Sequence, residues 1–269
     1  MTNKRHDSFI NYNPRISILT PSYNQGDYIE ENIISVLNQN YQNFEHIIID
    51  GGSTDNTLNV LKKYKHLKWV SERDKGQADA LNKGLYMADG EIIGWINSDD
   101  YYEKNIFNSV ATAFNIKETQ WVIGNIIYLY SDSKDSQKKI SPNITYENLL
   151  KNPDIVKQPA TFFRKSALEI VGGWNPALYM VMDYDLWLRM SRLSDPFMVN
   201  KNWAYFRIHG DQKTSFKNIM LQIKELDVIL KKEGVSLHLK IKTKKYFYIF
   251  WGYIKQLFIR WGLLSKKYS

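Results

Sequence analysis

The chain has 269 residues, 43% of them apolar, enough for one large domain or two small ones with a core that needs no covalent staple. Cysteine is absent, which excludes disulfides, thiolate zinc sites and cysteine nucleophiles. The formal charge of +8 sits at the end: residues 231–269 hold ten Lys or Arg against Glu233 alone, and the rest sums to about −1, which is not the body of a nucleic-acid-binding protein.

The stretch from Met1 to Asp7 is polar, so no secretory signal is expected there. Arg15 to Leu19 reads as a buried strand. The turn Thr20-Pro21-Ser22-Tyr23-Asn24-Gln25-Gly26 follows, then a helix with Ile29, Ile33, Val36 and Leu37 on one face. Glu45 to Ile49 is the next strand, ending at Asp50-Gly51-Gly52-Ser53-Thr54-Asp55, where Ser53 or Thr54 can cap a helix carrying Thr57, Leu61 and Tyr64. A third strand covers Lys68 to Ser71, a helix Gln77 to Ala88 stops at Gly90, and Glu91 to Ile96 gives a fourth strand. Alternating strands and helices imply an α/β fold with a mostly parallel sheet.

Beyond residue 101 the pattern loosens. It predicts a helix over Ile106 to Phe114, a strand over Trp121 to Tyr130, a polar loop from Ser131 to Lys139, and an extended stretch from Gln158 to Phe163. Lys165 to Val171 reads as helix broken by Gly172-Gly173, and Asp183 to Ser191 as another helix. Trp174, Tyr179, Trp187 and Trp203 are either sugar platforms or core.

The most informative stretch is Ile92-Ile93-Gly94-Trp95-Ile96-Asn97-Ser98-Asp99-Asp100, an apolar strand ending in two adjacent carboxylates. The carboxyl ends of parallel strands are where open α/β sheets bind ligands, and paired acids there can hold a divalent metal against phosphate. The alternative is a turn in which Asp99 and Asp100 cap the next helix.

The tail is basic and aromatic. Lys245, Gly252, Gln256 and Arg260 make a narrow polar stripe on a wide apolar helix that either lies in the headgroup region of an anionic membrane or packs on the domain. Spanning is disfavoured, because Lys255 and Arg260 would cost roughly 2.5 to 3.5 kcal/mol each near a bilayer centre.

The ordered blocks Pro21-Ser22-Tyr23-Asn24, Asp50-Gly51-Gly52-Ser53-Thr54-Asp55, Asn97-Ser98-Asp99-Asp100, Met182-Asp183-Tyr184-Asp185-Leu186-Trp187 and Arg207-Ile208-His209-Gly210 resemble family 2 glycosyltransferases. The resemblance covers about residues 14 to 215 and implies the GT-A fold, a nucleotide-sugar donor (UDP- or dTDP-sugar foremost), Mn²⁺ or Mg²⁺, and inversion at the anomeric carbon. It divides the chain into a nucleotide-sugar-binding half (14–100) and an acceptor-binding, catalytic half (101–215), leaving a helical extension (216–269). It also implies a glycan or polyprenyl-diphosphate-linked acceptor in bacterial surface-polysaccharide synthesis. With the tail, that places the chain at the cytoplasmic face of the cell membrane.

Residue by residue, the resemblance sets Pro21 and Tyr23 against the nucleotide base and Asp50 on its hydrogen-bonding edge. Asp79 is a further candidate for that pocket and Asn97 for the ribose. Asp99, Asp100 and His209 fall on metal and phosphate positions, and Asp183 on the base that deprotonates the acceptor hydroxyl. Each has a plainer reading: loop packing for Tyr23, turn formation for Asp50, a solvated charge for Asp79, a structural imidazole for His209, helix capping for Asp183. The chain departs from the family pattern at Asn97, where an Asp is common, at Leu81, where Arg is common, and at Met182, where an acid often precedes the base. Competing functions are a sugar nucleotidyltransferase, which would need a basic loop after the first strand, and a non-catalytic sugar-nucleotide-binding scaffold.

Overall fold

Four runs of β-branched and apolar residues make the first half of the sheet. In a computed structural model that describes residues 13–130, 136–139, 143–209, 213 and 218–236, β1 (Ile16–Ser22), β2 (Phe44–Asp50), β3 (Lys68–Ser71) and β4 (Ile92–Trp95) pair in parallel in the order β3-β2-β1-β4. The register sets Ser22 beside Asp50 and Leu19 beside Trp95, so three loops leave the same edge. Both faces are covered, and side chains alternate between them. Leu19, Ile47 and Ile49 join one core with α3 (Gln77–Met87). Ile16 and Ile18 face a second core, and Ile48 packs with Ile29 and Ile33 of α1 (Ile29–Leu37) and with α2 (Thr57–Leu61).

After β4 come β5 (Tyr101–Tyr102), α4 (Ile106–Phe114), β6 (Trp121–Tyr130), β7 (Ser136–Lys139) and α5 (Tyr146–Lys151). A single 3₁₀ turn (Gln158–Ala160) leads into β8 (Thr161–Arg164), α6 (Lys165–Ile170), α7 (Met182–Ser191), β9 (Phe197–Ile208) and α8 (Ile219–Lys232). The sheet continues from β4 as β8-β6-β9-β5, with β8 antiparallel to β4 and to β6, β6 parallel to β9, and β5 antiparallel to β9. The result is the GT-A fold, a curled α/β sheet with helices on both faces. The direction of pairing changes at β4, where a Cβ on Gly94 would lie 2.6 Å from Phe162 and 2.7 Å from Ile18. Only a glycine lets the Phe162 ring cross that strand.

The first four strands fall where the apolar runs place them. The second half holds more order than its pattern shows. Ser136–Lys139, expected as loop, pairs with β6 through its backbone, Leu129 opposite Ser136. Edge pairing needs only main-chain groups and leaves no apolar alternation to read. β9 also goes unannounced, because Asn200-Lys201-Asn202 interrupts its apolar positions. Gly172 and Gly173, both at positive φ, end α6 as expected. α8 packs Ile223, Leu226, Ile229 and Leu230 into the core shared with α3 and α7. The membrane reading of the tail falls on residues 237–269, outside the described residues; among those described, no helix is long and apolar enough to cross a membrane.

Candidate active site

The loops leaving β1, β3 and β4 open onto a cavity of about 340 Å³, closed on its far side by the approach to α7 and by Lys213. Its floor is the turn after β4. Asp100 N–H closes that turn on the Asn97 carbonyl at 3.1 Å, leaving Asp99 and Asp100 as neighbours. Asp100 is buried; its Oδ1 accepts from the Arg207 backbone N–H at 2.9 Å, and its Oδ2 has no hydrogen-bond partner. Burial first, and then the Asp99 charge, pushes the Asp100 carboxyl well above the usual carboxylate range.

The Asp99 carbonyl accepts from the Arg207 guanidinium at 2.9 Å, and its Oδ2 lies 3.1 Å from His209 Nε2. The His209 ring stacks on Tyr28 at 4.7 Å. The plain capping reading of the acid pair therefore fails, since both acids are held by β9 and neither caps α4. Among the described residues no three groups of ligating type stand as a ready-made metal cluster. The donor set nonetheless fits a hard divalent ion: a carboxylate oxygen and an imidazole nitrogen already adjacent, with a buried, unsatisfied carboxylate oxygen on the next residue, Asp100.

The end of the cavity where the sequence places a nucleotide base is built differently from that expectation. Pro21 and the Tyr23 ring, 61% exposed, line it as expected. Asp50 does not reach it. Its Oδ2 accepts from the backbone N–H groups of Gly52 and Ser53 at 3.1 and 2.9 Å and from Ser71 Oγ at 2.7 Å, and its Oδ1 accepts from Ser53 Oγ. The acid that lines the cavity is Asp74, which receives the Gly76 N–H at 2.8 Å. A Cβ on Gly51 would sit 2.9 Å from Asp74 and 3.4 Å from Tyr23, so glycine there lets both side chains pack against the loop.

Asp79 turns back to accept from Lys75 N–H at 3.1 Å and pair with Lys83 at 3.4 Å. The Lys75 N–H is the main reason its carboxyl lies below the usual range. Asn97 lines the cavity with its Oδ1 engaged by Gln77 Nε2 at 2.6 Å and Trp95 Nε1 at 3.0 Å. Leu81 is buried in the core and offers nothing to phosphate.

Opposite stands Asp183, in the first turn of α7 and half-buried at the cavity wall. Its Oδ1 accepts from Tyr184 N–H at 2.8 Å, and burial raises its pKa against the pull of that N–H and of Lys213. It is not the cap of α7, whose N-cap is Val181. The loop entering the helix is held from α8: Glu225 accepts from the N–H groups of Tyr179 at 2.9 Å, Met180 at 2.7 Å and Val181 at 3.2 Å. Lys213 Nζ donates to Gln77 Oε1 at 3.0 Å and lies 4.3 Å over the Tyr179 ring. Burial brings its pKa down to about 8, opposed by the charges of Asp183 and Glu225.

Of the four aromatic residues that were platform or core, Trp174, Trp187 and Trp203 are core, and Tyr179 lines the cavity. Asp74, Lys213 and Glu225 escaped the sequence reading. Only Asp74, an acid two residues before a glycine that opens a helix, left a signal there.

The profile described as glycosyl transferase family 2 matches residues 17–170. A hyaluronan synthase of Pasteurella multocida is 28% identical over 246 residues, 86% of this chain and 24% of the relative, so the chain spans about a quarter of that protein's length. Among solved structures, residues 1–349 of TarS from S. aureus in complex with UDP superpose with a TM-score of 0.64 at 19% identity, covering 88% of this chain and 70% of that one. The mannosyltransferase PcManGT from Pyrobaculum calidifontis, in complex with GDP-Man and Mn²⁺, gives 0.60 at 18% identity over 82% and 64%. A profile match over more than half of the sequence, on a GT-A sheet whose fourth strand ends in the acidic turn, makes this chain a member of glycosyl transferase family 2.

Proposed function

We propose that the chain transfers a sugar from a nucleoside diphosphate donor to a hydroxyl of a glycan or lipid-linked glycan, with inversion. One observation carries the reading: a single cavity has the paired acids Asp99 and Asp100 on its floor and the half-buried carboxylate Asp183 on the facing wall. Tyr23 offers a ring for the base and Asp74 an acceptor for a base or ribose donor. Asp50 supports the pocket by fixing the loop beneath it. The acceptor oxygen attacks the anomeric carbon from the face opposite the diphosphate, its proton passes to Asp183, and the bond to the phosphate oxygen breaks as the nucleoside diphosphate leaves. A carboxyl raised by burial binds that proton better than an exposed one.

Asp99, Asp100 and His209 would hold Mn²⁺ or Mg²⁺, which when bound neutralises charge on the departing diphosphate. Lys213, an ammonium on the cavity wall, adds to the same field. The structural neighbours, whose titles name UDP in one case and GDP-Man with Mn²⁺ in the other, support this donor class and metal. Residues 14–100 would serve the donor and 101–215 the acceptor. The relative named for hyaluronan supports a polysaccharide product. The basic, aromatic residues 240–269 support action at the cytoplasmic membrane face on a polyprenyl-diphosphate-linked acceptor.

The test is nucleoside diphosphate release from UDP-, dTDP- and GDP-sugars, with and without Mn²⁺, for the native chain and Asp183→Asn. Metal-dependent release from one donor, lost in the variant, is the expected result. Release of pyrophosphate from a nucleoside triphosphate and a sugar phosphate would instead mean a nucleotidyltransferase, and donor binding without turnover a scaffold. For the tail, partition to anionic vesicles unchanged by deletion of 240–269 would remove the membrane assignment.

A further inference from the structure

α1 and the turn after it carry three inward polar side chains, Asn32 and Ser35 on the helix and Gln39 just past its end, and all three reach the segment 97–106. Asn32 is fully buried, and its Nδ2 donates to the carbonyls of Asn97 at 3.0 Å and Asp100 at 2.9 Å. Ser35 Oγ accepts from Tyr102 N–H at 3.1 Å. Gln39 donates to the Glu103 carbonyl and accepts from Ile106 N–H, both at 2.8 Å. The chain leaving β4 is thereby fastened to α1 and its following turn along its whole length.

The Asn32 bonds differ from the others because they bracket the acidic pair. Both hydrogens of one carboxamide hold the two ends of the Asn97–Asp100 turn. The amide is aligned from behind. Thr20 Oγ1 lies 3.5 Å from Asn32 Oδ1 and 2.9 Å from His46 Nε2. Because Asn32 Oδ1 can only accept, Thr20 donates to it and accepts in turn from a protonated His46 Nε2. The bare His46 Nδ1 is then the buried ring atom without a partner. Burial keeps His46 neutral, with its pKa down to about 3, as this tautomer requires.

We infer that Asn32 is a positioning residue for Asp99 and Asp100: a buried amide, aligned through Thr20 by His46, that fixes where the two carboxylates meet a divalent ion. The inference rests on the metal-binding role proposed above. Its sequence signal is a lone Asn among the apolar residues of α1, and its reach is across 65 and 68 residues of chain.

The test is Mn²⁺ binding to the full chain in saturating UDP, read as the loss of the free Mn²⁺ electron paramagnetic resonance signal, beside thermal melting. Asn32→Ala is expected to weaken Mn²⁺ binding about tenfold, the size found when groups that orient metal ligands are removed. Ser35→Ala, on the same helix face but bonded beyond the turn, is expected to lower the melting temperature and keep the native Mn²⁺ affinity. Where Asn32→Ala does not fold, Asn32→Ser, with one donor left, takes its place and is expected to show a smaller loss. Native affinity in the Asn32 variant overturns the inference and leaves the metal role intact. An equal loss in both variants overturns it as general loosening. A native chain that binds no Mn²⁺ with UDP overturns the metal role and the inference together.

Discussion

Two loops that adjoin aspartates of the family pattern are built on opposite plans. In the loop after β2, Asp50 turns inward and spends its carboxylate on two backbone N–H groups and two serine hydroxyls. In the loop before α7 the arrangement is reversed: the backbone is held by a side chain from elsewhere, Glu225, and Asp183 is left facing the cavity. A carboxylate with its oxygens committed to donors is a builder, and one with an oxygen left for a substrate is a reagent. Residue type does not separate the two. The number of donors already engaged does.

The largest expected effect is at the reagent. Asp183→Asn removes the proposed proton acceptor and should lower kcat by about 10²–10⁴-fold with little change in donor KM, measured by nucleoside diphosphate release. The same variant should be more stable at pH 7, by about 1 kcal/mol in urea unfolding, because it deletes a carboxylate whose charged form burial disfavours. The sign follows from linkage. The folded pKa is raised, so the native state holds its proton to higher pH than the unfolded chain, and the native chain should gain stability as pH falls through that folded pKa. A loss of stability together with activity would erase the distinction between the two loops.

Next is the builder. Asp50→Ala strands two backbone N–H groups and two hydroxyls, and should cost about 3 kcal/mol of unfolding free energy while raising donor KM more than it lowers kcat. If kcat alone fell, Asp50 would belong with the reagents. Glu225→Ala should be milder, about tenfold in kcat at unchanged donor affinity, since it frees the loop leading into Asp183 and leaves the Tyr23 and Asp74 side of the cavity intact. Equilibrium binding of UDP beside steady-state kinetics separates the two effects.

The smallest effect is a shape. With a Lys213 pKa of about 8, activity should fall as pH rises past that value while the ammonium loses its proton. Lys213→Arg, charged at every accessible pH, should move that alkaline limb upward. An unmoved limb would assign it to another group.

The parallel half of the sheet was legible because strands buried on both faces read as apolar runs, as β4 and Ile47–Ile49 of β2 do. The second half hid its strands. β9 is exposed or half-exposed over most of its length and broken by Asn200-Lys201-Asn202, and β7 joins the sheet through backbone pairing with β6. At the site, the family blocks found Asp99, Asp100 and Asp183, which line the cavity, and Asp50, which supports it from beneath. Asp74 was invisible as a cavity acid because the fold, not the spacing, sets it against Gly51. Glu225 and Lys213 were invisible for a related reason: in a polar stretch of chain, a charge that faces inward looks like one that faces water.

Glu225 bears on where the polypeptide can be trimmed. The profile ends at 170 and the last family block at Gly210, yet the carboxylate that holds Tyr179, Met180 and Val181 lies at 225. Farther on, Glu233 accepts from the Tyr146 hydroxyl at 2.6 Å and pairs with Arg192. A fragment cut after the last recognisable motif would keep Asp99, Asp100 and Asp183 and lose the clasp that holds the loop leading into Asp183. The smallest unit worth expressing therefore extends at least through Glu233.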